Sequence, residues 1–249
     1  MERIQGGAQR ATSEKDAERA PFATSLRAEY DPHLLDHDQR RQHGEYVSLA
    51  LRAAGVWPDR PRILDVGCGS GLLLSALGAD ARWRVGCDVR RNLYLQAGAP
   101  QVTFVQGSAG NLPFKDASFD LVICLAVIGE VPEWRAALDD MARCIAPGGV
   151  LYVTVANSRF LLPLYRVAKR LGRAVPESFI AYAQACARIV GRPEEGFGAP
   201  SLRLWKSTDV TPYLATTRLG LAAALPSWLI RPVASRLAPS LGCAWRRPL

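Results

Sequence analysis

Apolar and polar positions along this chain repeat in two registers. Short β-branched or continuous apolar runs recur through its middle: Ile63-Leu64 with Val66, Val85-Gly86-Cys87-Asp88, Val102-Thr-Phe-Val-Gln, Phe119-Asp-Leu-Val-Ile-Cys-Leu and Val150-Leu-Tyr-Val-Thr-Val. Runs of this kind read as strands, and the fourth is continuously apolar from Leu121 to Leu125, as a strand buried on both faces should be. Between them the period changes. Leu72 to Leu77 has helical character, and Trp134, Ala137, Leu138, Met141 and Ile145 fall on one face at helical spacing. Pro132 sits where a first helical residue belongs and Pro147-Gly-Gly where the helix should break. Strands alternating with helices predict an α/β fold with a mostly parallel, doubly wound sheet.

The flanks are patterned less clearly. Residues 1–20 are polar without periodicity and read as a weakly ordered tail, and Pro21 to Gly55 reads as helical. His33, His37 and His43 all lie there; the first two share a helix face, but no third ligand accompanies them, so a solvent-facing polar helix is the plainer account. After the fifth strand come helical pieces over Phe160–Leu171 and Ser178–Val190. In the first, Phe160, Leu161, Leu164, Tyr165 and Ala168 make an apolar face, and Arg166, Lys169, Arg170 and Arg173 are basic, so the pair reads as a lid, a membrane-resting element or plain packed helices. Tyr165, Phe179, Tyr182 and Trp205 are its candidate pocket aromatics. Ser207-Thr-Asp-Val predicts a helix start, Leu219–Leu225 a sixth strand (or, with the residues to 241, a membrane-associating surface helix), and Cys243-Ala-Trp-Arg-Arg a last strand.

The divisions that follow are a tail at 1–20 and one domain at 21–249. Within it lie an N-terminal helical cap (21–56), a cofactor-binding core (57–156), a helical insertion (157–206) and a C-terminal helix with strands (207–249). At 249 residues and 49% hydrophobic, the chain can bury one substantial core. No apolar run reaches the length of a membrane span, and Met1 to Ala20 lacks a signal peptide's apolar segment. The six cysteines form no C-x-x-C pair, which points to buried thiols in a reducing cytoplasm and away from a metal centre or disulfide framework.

Charge changes the picture. Residues 1–155 carry 17 Lys+Arg against 19 Asp+Glu, whereas residues 156–249 carry 14 against 4. The basic C-terminal third suits an anionic substrate, a peripheral membrane contact or RNA; an arginine-biased solvated surface accounts for it equally.

The candidate chemistry lies at residues 65–88. The first strand runs into Gly67-Cys68-Gly69-Ser70-Gly71, with Asp65 just before the glycines, and the second strand ends on Asp88. A strand, a glycine bend and a helix start let backbone approach a ligand closely, and an acid ending the second strand suits the two hydroxyls of a ribose. The dinucleotide fingerprint needs a third glycine where Leu72 stands, so a pyrophosphate cofactor is disfavoured; a carboxylate at Asp65 suits a ligand with an ammonium group.

Together with Leu112-Pro-Phe, Phe119-Asp-Leu-Val, Val131-Pro-Glu and Ile145-Ala-Pro-Gly-Gly-Val-Leu, this bend resembles the class I methyltransferases of the ubiquinone/menaquinone-biosynthesis type, over residues 62–155. The resemblance implies a Rossmann-like fold with a mostly parallel seven-stranded sheet, helices on both faces, and S-adenosyl-L-methionine as cofactor. It implies that Asp65, Gly67, Cys68, Gly69 and Gly71 line the methionine side, Asp88 with Val89 the ribose, Ser108 and Ala109 the adenine, and Leu125 the sulfonium end. It also implies that residues 21–56 cap the cofactor, through Tyr30 or Tyr46. Two departures stand out. Relatives commonly carry Asp where this chain has Ser108, whose hydroxyl still accepts a hydrogen bond. Many read Leu-Glu-His-Val where this chain reads Ile128-Gly-Glu-Val, which makes Glu130 the candidate general base; a helix-start acid is the alternative. The acceptor expected is a small or lipid-like molecule methylated at O, N or C, without metal. An RNA methyltransferase, disfavoured by the lack of any RNA-binding module, and a non-catalytic binder on the same scaffold are the alternatives.

Overall fold

The structure, a computed structural model, describes residues 44–45, 47–49, 51–77, 80–90, 102–175, 177–189, 202, 206–209 and 240–249. Several expectations lie outside these residues: the 1–20 tail, the three histidines, Tyr30, Tyr46, Trp205, and the 219–225 strand with its connector to 239.

Apolar runs become strands that alternate with helices: β1 (Arg62–Val66), α1 (Leu72–Ala76), β2 (Trp83–Asp88), β3 (Thr103–Gln106), β4 (Phe119–Leu125), α2 (Trp134–Arg143), β5 (Ile145–Ala156), α3 (Ser158–Arg170), α4 (Glu177–Ala187), β6 (Lys206–Asp209) and β7 (Ser240–Arg246). A short 3-10 turn, Ile128–Glu130, follows β4. The strands form one sheet in the order β3-β2-β1-β4-β5-β7-β6. Its first five are parallel, and β7 runs antiparallel to both β5 and β6. This is the mostly parallel, Rossmann-like arrangement that the alternating pattern predicts.

Strand side chains point alternately to opposite faces, and here both faces are covered. Leu64, Val66, Val122, Cys124, Leu151 and Val153 pack with Trp134, Ala137, Leu138 and Met141 of α2 and with Ala183 and Cys186 of α4. The intervening Ile63, Leu121, Ile123, Val150 and Tyr152 pack with Leu74, Leu77 and helical residues Val47 and Leu51 on the other face. All six cysteines are buried free thiols.

Three local expectations change. Ile145 and Pro147-Gly-Gly belong to β5 and not to a helix and its break, because Ile145 pairs with Phe119 and a register slip before Leu121 absorbs the irregular segment. The glycine backbone there is anchored across the sheet, Gly148 N–H donating to Arg247 O at 3.1 Å and Arg247 N–H to Gly149 O at 2.9 Å. Helix α2 begins at Trp134, leaving Pro132 in the preceding turn. Lys206–Asp209 is a strand where the sequence predicts a helix start, because β7 offers it an unpaired ladder, Ser207 opposite Trp245.

The strand order reverses direction between β1 and β4. Loops leaving the carboxyl ends of those two strands diverge to opposite faces, opening the crevice in which ligands of such sheets bind. The glycine bend follows β1, and the Glu130 turn follows β4.

Candidate active site

The glycine bend is bound to the end of β2. Gly67 N–H and Cys68 N–H both donate to Cys87 O, at 2.7 and 3.2 Å, and Gly71 N–H donates to Cys68 O at 2.9 Å. Gly69 N–H donates to Asp88 Oδ2 at 2.9 Å. Gly67, Gly69 and Gly71 have φ of 79°, 52° and 72°, the left-handed region that glycine enters without a Cβ penalty. Gly67 is confined as well: a Cβ there would lie 2.3 Å from Val127 Cγ2, so the bend touches the segment leading into the Glu130 turn. Gly69 is the opposite case, with nothing within 4 Å of an added Cβ.

Asp88 stands beside the bend, its Oδ1 accepting Arg90 N–H at 3.0 Å while Oδ2 holds Gly69. One bond to each oxygen leaves a carboxylate lone pairs to spare, enough for two hydroxyls. Asp65 is only 3% exposed. Burial and the neighbouring Asp88 charge push its carboxyl up to about 7, and among the described residues no cation offsets them. The bend's remaining thiol, Cys68, is held protonated by burial and by the two acids. The site therefore offers open space and carboxylate oxygens. The N–H groups of Gly67, Cys68, Gly69 and Gly71 are spent on protein acceptors, so no nest for a pyrophosphate forms there. A nucleoside with a ribose diol and a cationic amino-acid arm fits this donor and acceptor set.

The other predicted residues lie at the same carboxyl edge. Ser108 and Ala109 follow β3 after Gly107, and Gln106 of that strand pairs with Asp88. Ser108 is exposed, its hydroxyl accepting Gly110 N–H at 3.4 Å, whereas Ala109 is buried in the core. Val89 is 56% exposed, its carbonyl accepting Gln106 Nε2 at 3.0 Å. Leu125 ends β4.

Beyond Leu125 the chain turns through Ala126, a non-glycine residue at φ 56° whose N–H donates to Thr154 Oγ1 at 3.1 Å. Strained backbone of this kind persists only where its surroundings impose it, and it gathers at functional sites. Glu130 follows within one turn. The residue is exposed overall, yet desolvation where it meets the protein raises its carboxyl above the usual range. Arg90 opposes the rise and Asp88 adds to it.

Sequence reading did not single out what holds this turn. Gly129 lies against α4, where a Cβ would meet Cys186 Sγ at 2.6 Å and Tyr182 Cε2 at 2.8 Å. Arg188, just past α4, donates through Nη2 to Gly129 O at 2.9 Å and Val131 O at 2.6 Å, bracketing Glu130. The second helix of the insertion is thus fastened to the turn bearing the candidate base, where Val127 and Val131 flank the turn and Tyr182 lies against Gly129, all three partly buried against the core. Gly86 went unremarked too; its missing Cβ leaves room for Cys68 Sγ, 2.6 Å from where that Cβ would stand. Neither contact has a local signal, since the partners are 57 to 59 residues apart for Arg188 and 18 for Gly86.

Comparison with known proteins bears on the family and the fold. A family described as a methyltransferase domain matches residues 64–153. A demethylmenaquinone methyltransferase of Mycolicibacterium paratuberculosis is 31% identical over 159 residues, 60% of this chain and 69% of that protein. A ubiquinone biosynthesis O-methyltransferase of Xylella fastidiosa is 28% identical over 156 residues, 57% of this chain and 60% of that protein. The chain therefore spans roughly two thirds or less of these relatives' own length. Among solved structures, the plantazolicin methyltransferase BpumL, in complex with a triazolic desmethylPZN analog and SAH, superposes with a TM-score of 0.61 at 14% identity, covering 94% of each chain. A SAM-dependent methyltransferase of Thermotoga maritima gives 0.51 at 18% identity, covering 91% of this chain and 96% of that one. At such identities the solved structures speak to the fold.

Proposed function

We propose, from the premise that this chain belongs to the class I S-adenosylmethionine-dependent methyltransferases of the ubiquinone/menaquinone-biosynthesis group, that it methylates a lipid-like ring compound bearing an ionisable hydroxyl. Its activity is S-adenosylmethionine-dependent methyl transfer. The acceptor reading is carried by one observation: an apolar wall borders the Glu130 turn, with Val127 and Val131 flanking it and Tyr182 and Cys186 of α4 against Gly129. Such a wall suits a ring with an apolar substituent. The relatives are named for demethylmenaquinone methylation and for an O-methylation in ubiquinone biosynthesis, which supports a ring compound of quinone type.

The cofactor supplies an electrophilic methyl group on sulfur, so the chain's task is chiefly alignment. Asp88 takes the ribose hydroxyls on its spare lone pairs. Asp65 faces the amino-acid arm, whose ammonium relieves the charge strain that Asp88 imposes on it. The open face at Gly69 admits the ligand without displacing a side chain. Ser108 and the Ala109 backbone take the adenine edge, and Leu125 borders the reacting centre. Glu130 accepts the acceptor's hydroxyl proton as the methyl bond forms; its raised carboxyl is a stronger base than an ordinary glutamate.

Incubation of the protein with methyl-labelled cofactor and demethylated quinols, alongside a host lysate, tests the reading. Label in an organic-extractable product one methyl heavier than its precursor supports it. Label that stays aqueous, or is released by nuclease, refutes it.

A further inference from the structure

Helix α3 has a second apolar face that nothing among the described residues covers. Its inner side, Leu161, Leu162 and Tyr165, packs on the core. Leu164 and Val167, with Leu171 immediately after the helix, recur at intervals of three and four and are 46%, 50% and 73% exposed. Phe179, in the first turn of α4, is 58% exposed. Eight large hydrophobic residues are exposed among the described residues, and these are four of them. The apolar face read from sequence is thus divided, with Leu164 on the solvent side.

Cations flank that stripe. Arg159, Arg166 and Arg170 repeat at spacings of seven and four, along a line beside Val167 on the same outward half of the helix. Lys169 and Arg173 complete the group, and residues 157–176 contain no acid. Of these five cations only Lys169 has an ion-pair partner among the described residues, Glu177 at 2.6 Å. An RNA or a soluble polyanion would account for the arginines and leave the aliphatic stripe in water. A purely apolar partner would leave the arginines unmatched. An anionic bilayer surface matches both, taking aliphatic side chains at the headgroup boundary and guanidinium groups at the lipid phosphates.

We infer that the outer face of α3, with Leu171 and Phe179 at its end, is a docking surface for anionic phospholipid bilayers. Through α4 and Arg188 the docked hairpin is joined to the Glu130 turn, so the active site opens beside the membrane surface from which a lipid-like acceptor comes. The docking deepens the acceptor reading and yet can hold or fail apart from it, since it needs no acceptor to be observed.

Co-sedimentation of the full chain with extruded vesicles tests this. Phosphatidylcholine vesicles containing about a third phosphatidylglycerol should pellet the protein, and pure phosphatidylcholine should not, with binding falling as salt rises. Val167→Asp with Leu171→Asp should lower the affinity at least about tenfold by removing the buried aliphatic groups. Arg166→Glu with Arg170→Glu should lower it by roughly a hundredfold on the anionic vesicles alone. Calorimetry with S-adenosylhomocysteine, unchanged in both variants, reports that the fold survives, and its failure in the wild type would count against the methyltransferase reading and not the docking. Three results overturn the proposal: no pelleting with anionic vesicles, pelleting indifferent to the Asp variants, or a wild-type dimer in solution that Leu171→Asp converts to monomer, which would assign the stripe to a second copy.

Discussion

Asp65 carries an energetic cost that can be measured. In the folded chain its carboxyl keeps its proton to about pH 7 because it is buried and faces Asp88. Unfolded, it ionises from 3.8. Between those values the folded state binds more protons than the unfolded one, so Asp65 makes stability fall as pH rises through that window, and the loss is complete above it. A little over three pH units at about 1.4 kcal/mol each comes to about 4 kcal/mol. Asp65→Asn removes the titration. Relative to wild type, the cofactor-free variant should gain about 1 kcal/mol near pH 4.5 and about 4 kcal/mol near pH 8, a difference that widens by about 3 kcal/mol. Urea unfolding of both proteins across that range reads it directly. In the proposed complex the ligand's ammonium favours the ionised form, so the variant should lose at least about tenfold in affinity for S-adenosylhomocysteine while gaining stability. Wild-type binding near pH 6 should release about one proton, measured by calorimetry in buffers of different ionisation enthalpy. A stability gap that does not change with pH would refute the burial argument. Undiminished affinity in Asp65→Asn would refute the assignment of the ammonium.

Further predictions concern the residues that hold the site in place. Gly86→Ala brings a Cβ to 2.6 Å from Cys68 Sγ and 3.0 Å from Cys68 Cβ. It should cost about 1–3 kcal/mol in urea unfolding and weaken cofactor binding, with Cys68→Ala in the same chain restoring part of both. Arg188→Ala removes the donor that brackets Glu130, so kcat should fall while cofactor affinity measured by calorimetry stays unchanged, and Arg188→Lys should recover part of the rate; an unaltered kcat would dismiss the positioning role. Glu130→Gln should lower kcat by about a hundredfold or more and erase the rise of rate with pH that a carboxyl raised above its ordinary value produces. A persistent acid limb would move the base elsewhere.

The local features were legible because their signals are local. The continuous apolar run of β4 and the bounds Phe119–Leu125 are one fact seen twice, since a strand covered on both faces has no polar alternation to keep. The glycine bend was legible for a similar reason: its left-handed dihedrals belong to the residues that adopt them. Asp88 was placed by ending a strand beside that bend, and the bond from Gly69 is the geometric form of that adjacency.

Tertiary structure decided what depends on distant partners. Lys206–Asp209 became a strand because β7 presented a ladder to it, which no cap signal at Ser207 could outweigh. The Arg188 clamp, the Gly86–Cys68 contact and the raised Asp65 carboxyl join segments whose sequences carry no mark of each other. The exposed stripe on α3 is of the same kind: helical periodicity gave two apolar directions, and only packing against the sheet chose which one faces water. Backbone preferences are written residue by residue along the chain, whereas burial and electrostatic environment belong to pairs and layers that exist only once it has folded.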